Sequence, residues 1–306
     1  MIPPGGYAWW YLDAVSDDGR AAISVIALLG SVFSPFYAAA RARGGRADPL
    51  AHAALNVAVY APGRGRWVLT ERGAHALARS HDALAIGPSR VRWEGDALVV
   101  DLEERSAPFG LRVAGRVRLF PEERAGDTVI LDRDGRHRWV PIAPSARAEI
   151  ELTHPALRFR GAAYLDANHG DEALEDAFSR WTWSRVAAGR RAAVTYDVER
   201  RDGSHLLVTR AFGPGGERRD GFPVVAVEAA PTRWRMPRVL HGEPGAQARA
   251  RVVRTLEDTP FYARSLIETS LLGEPAVGTH EALSLDRFRL PVVQRMLPYR
   301  MRRELA

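Results

Sequence analysis

Short apolar runs that close in turn chemistry recur along this 306-residue chain: Tyr7–Val15, Ala21–Leu29, Leu55–Tyr60, Ala97–Leu102, Leu111–Leu119, Ala192–Glu199, His205–Phe212, Val224–Val227 and Ala250–Leu256. Between such runs stand Asp18-Gly19, Gly95-Asp96, Asp134-Gly135 and Asp202-Gly203. A two-residue hairpin turn needs positive φ, which glycine adopts without steric cost, so these pairs mark hairpins. Helical stretches are few and short: Pro49–Ala54, Glu172–Ala177 and part of the C-terminal tail. Many short strands with regular turns predict an all-β chain of antiparallel barrels or sandwiches.

A weak internal repeat divides that chain. Trp9-Trp10-Tyr11-Leu12-Asp13 leads through a turn to Ala21-Ala22-Ile23-Ser24-Val25, and Trp181-Thr182-Trp183-Ser184-Arg185 leads through a turn to Ala192-Ala193-Val194-Thr195-Tyr196. Each is an aromatic opening strand followed by a small-aliphatic-hydroxyl partner. A spacing this long excludes a solenoid and fits two related domains. The expected division is residues 1–172 and 173–306, joined near Asn168–Asp176.

Composition removes whole classes of chemistry. There is no cysteine, hence no disulfide scaffold, thiolate nucleophile or Cys-bound zinc. There is no lysine either, which excludes Schiff-base catalysis and a Walker A loop. Six Arg and no acid lie between Arg287 and Arg303; outside that segment Arg and the acids balance, so the net charge of +6 belongs to the tail and does not signal nucleic-acid binding. No apolar run is long enough for a transmembrane helix. The opening Met1-Ile2-Pro3-Pro4-Gly5-Gly6 lacks the basic-then-apolar order of a signal peptide, which makes the cytoplasm the default compartment.

Two pairs carry candidate chemistry: His137-Arg138-Trp139 and Tyr164-Leu165-Asp166. On a strand, residues i and i+2 share a face, so each pair sets a titratable group beside an aromatic ring. If both faced a barrel interior, the site would combine a carboxyl, an imidazole and two rings. That set suits protonation of an alkene. A desolvated Asp keeps its proton, aromatic faces stabilise a cation by roughly 0.5–2 kcal/mol each, and a neutral His deprotonates water. The ordinary uses of the same residues are a turn-capping Asp and a half-buried His–Trp surface pair.

Other groupings point to less. The stretch Asn168, His169, Asp171, Glu172, Glu175, Asp176 is too loosely spaced for a zinc pattern and reads as a loop capping a helix. Glu71-Arg72 after Trp67 reads as an ion pair, interior or on the surface, with the surface reading favoured. His52 and Asn56 share a face. Gly213-Pro214-Gly215-Gly216 is a loop without a following helix, and no Gly-x-Ser-x-Gly elbow is present.

The opening Gly5-Gly6-Tyr7-Ala8-Trp9-Trp10-Tyr11-Leu12-Asp13 resembles the carotenoid 1,2-hydratases (hydroxyneurosporene synthases) of phototrophic bacteria. So do Gly30-Ser31-Val32-Phe33-Ser34-Pro35, Thr70-Glu71-Arg72-Gly73, Trp139-Val140-Pro141-Ile142-Ala143-Pro144, Tyr164-Leu165-Asp166-Ala167-Asn168 and Trp181-Thr182-Trp183-Ser184-Arg185. The resemblance implies two lipocalin-like β-barrels and cofactor-independent hydration of an acyclic carotenoid, with water as co-substrate. Its proposed catalytic residues fall on Asp166, His137, Trp139 and Tyr164. Lipocalin-like cyclases and Diels–Alderases of fungi share the architecture, so an isomerase, a cyclase or a carrier of apolar ligands remains open. A bilayer-borne polyene also implies peripheral attachment to the inner (photosynthetic) membrane. The Arg287–Arg303 tail, which interleaves Arg with Phe288, Leu290, Val292, Met296 and Tyr299, is the expected contact; the alternative is a tail packed on the second barrel with its Arg in solvent.

Overall fold

The computed structural model describes residues 2–44 and 47–304. The chain is built of antiparallel strands with few short helices, as the turn spacing predicts. In chain order the strands of its first part are β1 (Tyr7–Ser16), β2 (Ala22–Leu29), β3 (Ala53–Tyr60), β4 (Arg66–Arg72), β5 (Leu77–Arg79), β6 (Ala83–Ile86), β7 (Ser89–Glu94), β8 (Ala97–Arg105), β9 (Arg112–Glu123), β10 (Val129–Ile130), β11 (His137–His154) and β12 (Ala156–Gly170). They form a sheet in the order β4-β3-β2-β1-β12-β11-β9-β8-β7-β6-β5, with β10 on β11. The C-terminal strand Arg302–Glu304 adds in parallel to β4. The sheet curls, bringing β3 against β6 and β4 against β8. Its concave side is aliphatic: Leu12, Ile23, Val25, Leu55, Val57, Val100, Val117, Ile150 and Leu165 pack there.

The second part contains β13 (Phe178–Ala188), β14 (Arg191–Arg200), β15 (His205–Gly213), β16 (Glu217–Asp220), β17 (Val225–Ala229), β18 (Arg238–Gly242), β19 (Arg251–Asp258), β20 (Tyr262–Ser270) and β21 (Pro275–Ser284). Seven of these follow the order β16-β15-β14-β13-β21-β20-β19, and β17–β18 is a separate hairpin. Val186, Ala193, Leu240 and Ile267 lie in its core. The two copies of the sequence repeat take the same place. β1 runs between its hairpin partner β2 and the later strand β12; β13 runs between β14 and β21. Each later strand carries a glycine at the crossing. A Cβ on Gly161 would lie 1.8 Å from the Val15 carbonyl oxygen, and one on Gly278 1.8 Å from that of Arg185.

The chain divides into two compact units. One holds the residues up to Pro121, Gly126–Ala173 and the segment from Gln294 onward; the other holds Glu122–Ala125 and Leu174–Val293. The helix expected at Pro49–Ala54 is a single 3₁₀ turn, Pro49–His52, because Ala53 already pairs in β3. A helix at Pro35–Ala42 was not legible. Ser34 caps it by accepting from the Phe36 and Tyr37 amides, with Pro35 at the first helical position.

Glu71 and Arg72 are buried, against the favoured surface reading and with the interior one. They do not pair with each other. The Arg72 guanidinium donates to both oxygens of Glu104 at 3.0 and 2.9 Å, and its Nε donates to Glu304 at 2.9 Å. Glu71 meets His52 and Arg303, each at 3.0 Å. The partners lie far away in sequence, so local pattern could not reveal them. In contrast, Arg112–Glu103 is an exposed pair on the neighbouring strands. Glu104→Ala strands a buried guanidinium and is expected to cost about 3–5 kcal/mol. Glu103→Ala is expected to cost less than about 1 kcal/mol. Urea unfolding of the two variants checks the contrast.

Candidate active site

Three adjacent strands build the site. Across β1, β12 and β11 the register sets Tyr7 opposite Gly170 opposite His137, Trp9 opposite Asn168 opposite Trp139, and Tyr11 opposite Asp166 opposite Pro141; Asp13 lies opposite Tyr164. Residues directly opposite share a face. Leu12, Ala163 and Leu165 occupy the aliphatic side, so these rows occupy the other one. The four residues expected from the sequence therefore share one face, the one away from the aliphatic interior; Trp139 and Tyr164 meet Asp166, and His137 lies two rows further along the strands. A register shift between Pro141 and Ala143 explains how β11 contributes to both. Ala143 joins the core, whereas Trp139 and His137 stand across from it.

The turn marked by Asp134-Gly135 starts β11. Asp132 accepts from the backbone amides of Asp134, Arg136 and His137, the last at 2.7 Å. Gly135 has a φ of 68°. This fixes where the His137 side chain leaves the strand.

His137, Trp139 and Tyr164 are 0% exposed and Asp166 3%. The Trp139 indole N–H and the Tyr164 hydroxyl both donate to Oδ2 of Asp166, each at 2.8 Å. Burial pushes the Tyr164 phenol well above its ordinary value of 10, and its contact with the Asp166 carboxyl works the same way, so it remains a donor. Tyr11 donates to Oδ2 of Asp13 at 2.9 Å, and its ring meets that of Tyr164 edge-on. The Tyr7 hydroxyl lies 2.8 Å from Nδ1 of His137, and Trp9 stacks on Tyr7 at 4.9 Å between centroids. Gly170 makes this possible, because a Cβ there would fall 2.5 Å from the Tyr7 ring and 2.8 Å from Nδ1. Burial holds the His137 imidazole below 6.5, against the pull of Asp132, Glu172 and Asp171, so the ring is neutral near pH 7.

Sequence reasoning missed Tyr7, Trp9, Tyr11 and Asp13. Their spacing of two already put them on one face of a strand. What it lacked was the identity of the neighbouring strand, β12. The loop considered for metal is used otherwise: Glu172 pairs with Arg136 at 2.5 Å and Asp171 with Arg138 at 3.4 Å. Among the described residues no group of three or more His, Asp or Glu is arranged to hold a metal ion. The second unit buries another imidazole, His280, whose Nδ1 lies 2.9 Å from the Ser184 hydroxyl. Burial first, and then His241 and Arg238, push it down to about 3.

A buried carboxyl gripped by an indole and a phenol, with an imidazole on the same face, is the candidate site of a lipocalin-like double β fold. That fold recurs in solved structures. A protein assigned as AttH from Nitrosomonas europaea matches with a TM-score of 0.60 at 14% identity, over 90% of this chain and 92% of that one. Kievitone hydratase from Nectria haematococca matches with a TM-score of 0.54 at 10% identity, over 93% and 92%. The family model described as carotenoid hydratase CrtC matches residues 25–306, and the chain belongs to that family; it is thereby an enzyme of the hydro-lyase class. Its relatives include the acyclic carotenoid 1,2-hydratases of Thiocapsa roseopersicina, 52% identical over 99% of this chain and 74% of the relative, and of Rubrivivax gelatinosus, 47% identical over the same shares. That of Cereibacter sphaeroides is 42% identical over 91% of this chain and 98% of its own.

The two buried imidazoles make stability depend on pH. In the unfolded chain they take up protons near pH 6.5, whereas the folded protein holds both below that value. The unfolded state then binds more protons, so stability falls as pH drops below about 6.5. Urea unfolding at a series of pH values is expected to show this decline, and His280→Gln to flatten it. An unaltered slope in that variant would show that His280 charges as readily in the folded protein as in the unfolded one.

Proposed function

We propose that this enzyme adds water across the terminal C1–C2 double bond of an acyclic carotenoid of the lycopene or neurosporene type, without a cofactor. The observation that carries the reading is the convergence of Trp139 and Tyr164 on one oxygen of the buried Asp166. A carboxyl with its Oδ2 so engaged presents its proton from the other oxygen. Removal from water disfavours the carboxylate and, in this reading, outweighs the pull of the two donors on Oδ2. Asp166 delivers it to C2. The tertiary cation at C1 rests against the Trp139 and Tyr164 rings, whose negative faces stabilise it. Water then bonds to C1 and yields a proton toward the neutral His137. The names of the three relatives described above, acyclic carotenoid 1,2-hydratases, support the substrate class.

The test is lycopene in detergent with purified protein in oxygen-18-labelled water. A labelled tertiary alcohol supports hydration; an isomerised product means a cyclase or isomerase, and unchanged bound ligand means a carrier. Asp166→Asn, nearly isosteric but unable to donate the proton, is expected to abolish turnover with the fold intact. Retention of more than a few per cent of activity would remove Asp166 as the acid. His137→Ala is expected to be less severe, with a loss of roughly 10²–10⁴-fold.

The substrate resides in a bilayer, and we infer that the tail meets it there. No helix among the described residues is long and apolar enough to cross a membrane. The short tail helix Pro291–Met296 exposes Val292 (61%) and Met296 (42%), and Tyr299 beyond it is 78% exposed. Arg295 stands exposed on the same helix. The other tail Arg are partly engaged: Arg300 stacks over Trp67, Arg303 over Phe36, and Arg287 donates to the Trp234 carbonyl. The attachment is therefore mainly apolar and reversible. Co-sedimentation with anionic vesicles is expected, weakened by Val292→Asp and Tyr299→Asp. Folded wild-type protein that ignores such vesicles at low salt would mean that the tail serves only the fold.

A further inference from the structure

We propose that Tyr7 is the contact between His137 and the attacking water, and that Glu172 holds the imidazole from its other side. This rests on the hydration reading above. Both ring nitrogens of His137 already have neighbours. Nδ1 lies 2.8 Å from the Tyr7 hydroxyl, and Nε2 lies 3.5 Å from Oε1 of Glu172. The second distance is at the outer edge of hydrogen-bond range but well within reach of a charge.

These contacts decide the tautomer. The other oxygen of Glu172 pairs with the Arg136 guanidinium, the partner of a carboxylate. A carboxylate beside a bare ring lone pair is repulsive, so the proton of the neutral ring sits on Nε2. Nδ1 is then the acceptor, and the Tyr7 hydroxyl donates to it. A water that used His137 directly would have to displace Tyr7 or Glu172. The Tyr7 oxygen can instead accept a hydrogen bond from water while donating to Nδ1. Tyr7 stands on the same sheet face as Asp166, and stacking on Trp9 holds its ring. Gly170 leaves the gap that lets the hydroxyl and the imidazole meet.

The proton path balances. C2 gains the Asp166 proton, and the oxygen of water bonds to C1. As that bond forms, the water O–H breaks toward the Tyr7 oxygen, and the Tyr7 proton passes to Nδ1. The imidazolium is stabilised by Glu172, and Asp166 is left as carboxylate. One proton then returns from the imidazolium to Asp166 through solvent, and the net change is alkene plus water to alcohol. Tyr7 is a catalytic residue in this scheme, since it touches the water; Glu172 is a positioning residue that acts through His137.

The charged and titratable groups facing His137 are Tyr7, Asp132, Asp171 and Glu172, with Arg136 and Arg138 paired to the last two acids in reverse order. Loss of the Glu172 charge removes a stabiliser of the imidazolium. Glu172→Gln is therefore expected to lower kcat and to move the acidic limb of its pH profile to lower pH, a shift that a merely structural role would not produce. Tyr7→Phe keeps the ring and its stacking on Trp9. It is expected to lose roughly 10²-fold or more in kcat with little change in KM. The double variant Tyr7→Phe/His137→Ala is expected to fall no further than the worse single variant, because both act on one proton path.

The assay is again labelled-water incorporation into lycopene, with unfolding midpoints to show that each variant is folded. If the wild-type enzyme incorporates no label, the hydration reading fails. If it does and folded Tyr7→Phe keeps the wild-type rate, or the double variant shows additive losses, this inference alone is overturned.

Discussion

The register of β12 between β1 and β11 is the constraint on which the site depends. Side chains alternate along a strand, so a slip of one residue would exchange the two faces of β12. Leu165 would leave the aliphatic interior, and Asp166 would enter it. Gly161 and Gly170 pin that register from both ends, since each stands where a neighbour leaves no room for a Cβ. The aliphatic packing on one face thus holds the polar cluster on the other in place without touching it.

A buried polar face is costly unless its groups find partners. Here the two carboxyls and the imidazole each meet an aromatic hydrogen-bonding partner: Asp166 meets Trp139 and Tyr164, Asp13 meets Tyr11, and His137 meets Tyr7. Aromatic residues serve twice in this arrangement. They satisfy a carboxyl or an imidazole through one polar atom and fill the buried space around it with the remainder of the ring. The same unit solves a different burial problem with ions, in the Arg72–Glu104 pair that the C-terminal strand closes through Glu304.

The architecture does not select the reaction. A TM-score of 0.60 accompanies 14% identity to one solved structure, so the fold tolerates nearly complete replacement of its side chains. The proposed chemistry rests instead on the cluster on β1, β11 and β12. Family membership rests on a match over residues 25–306, not on the fold.

The β-rich class, the hairpins at Asp18-Gly19, Gly95-Asp96 and Asp202-Gly203, and the pairing of His137 with Trp139 and Tyr164 with Asp166 were legible in the sequence. Each depends on local rules: positive φ at glycine, and alternation along a strand. Which strands lie side by side was not local. The tertiary structure alone decided that Tyr7, Tyr11 and Asp13 join the site, that the site faces away from the aliphatic interior, and that Glu71 and Arg72 are buried. Those outcomes depend on contacts between residues as far apart as Tyr7 and His137, or Arg72 and Glu304. Periodicity tells a strand which of its residues share a face; only long-range pairing tells it what that face will meet.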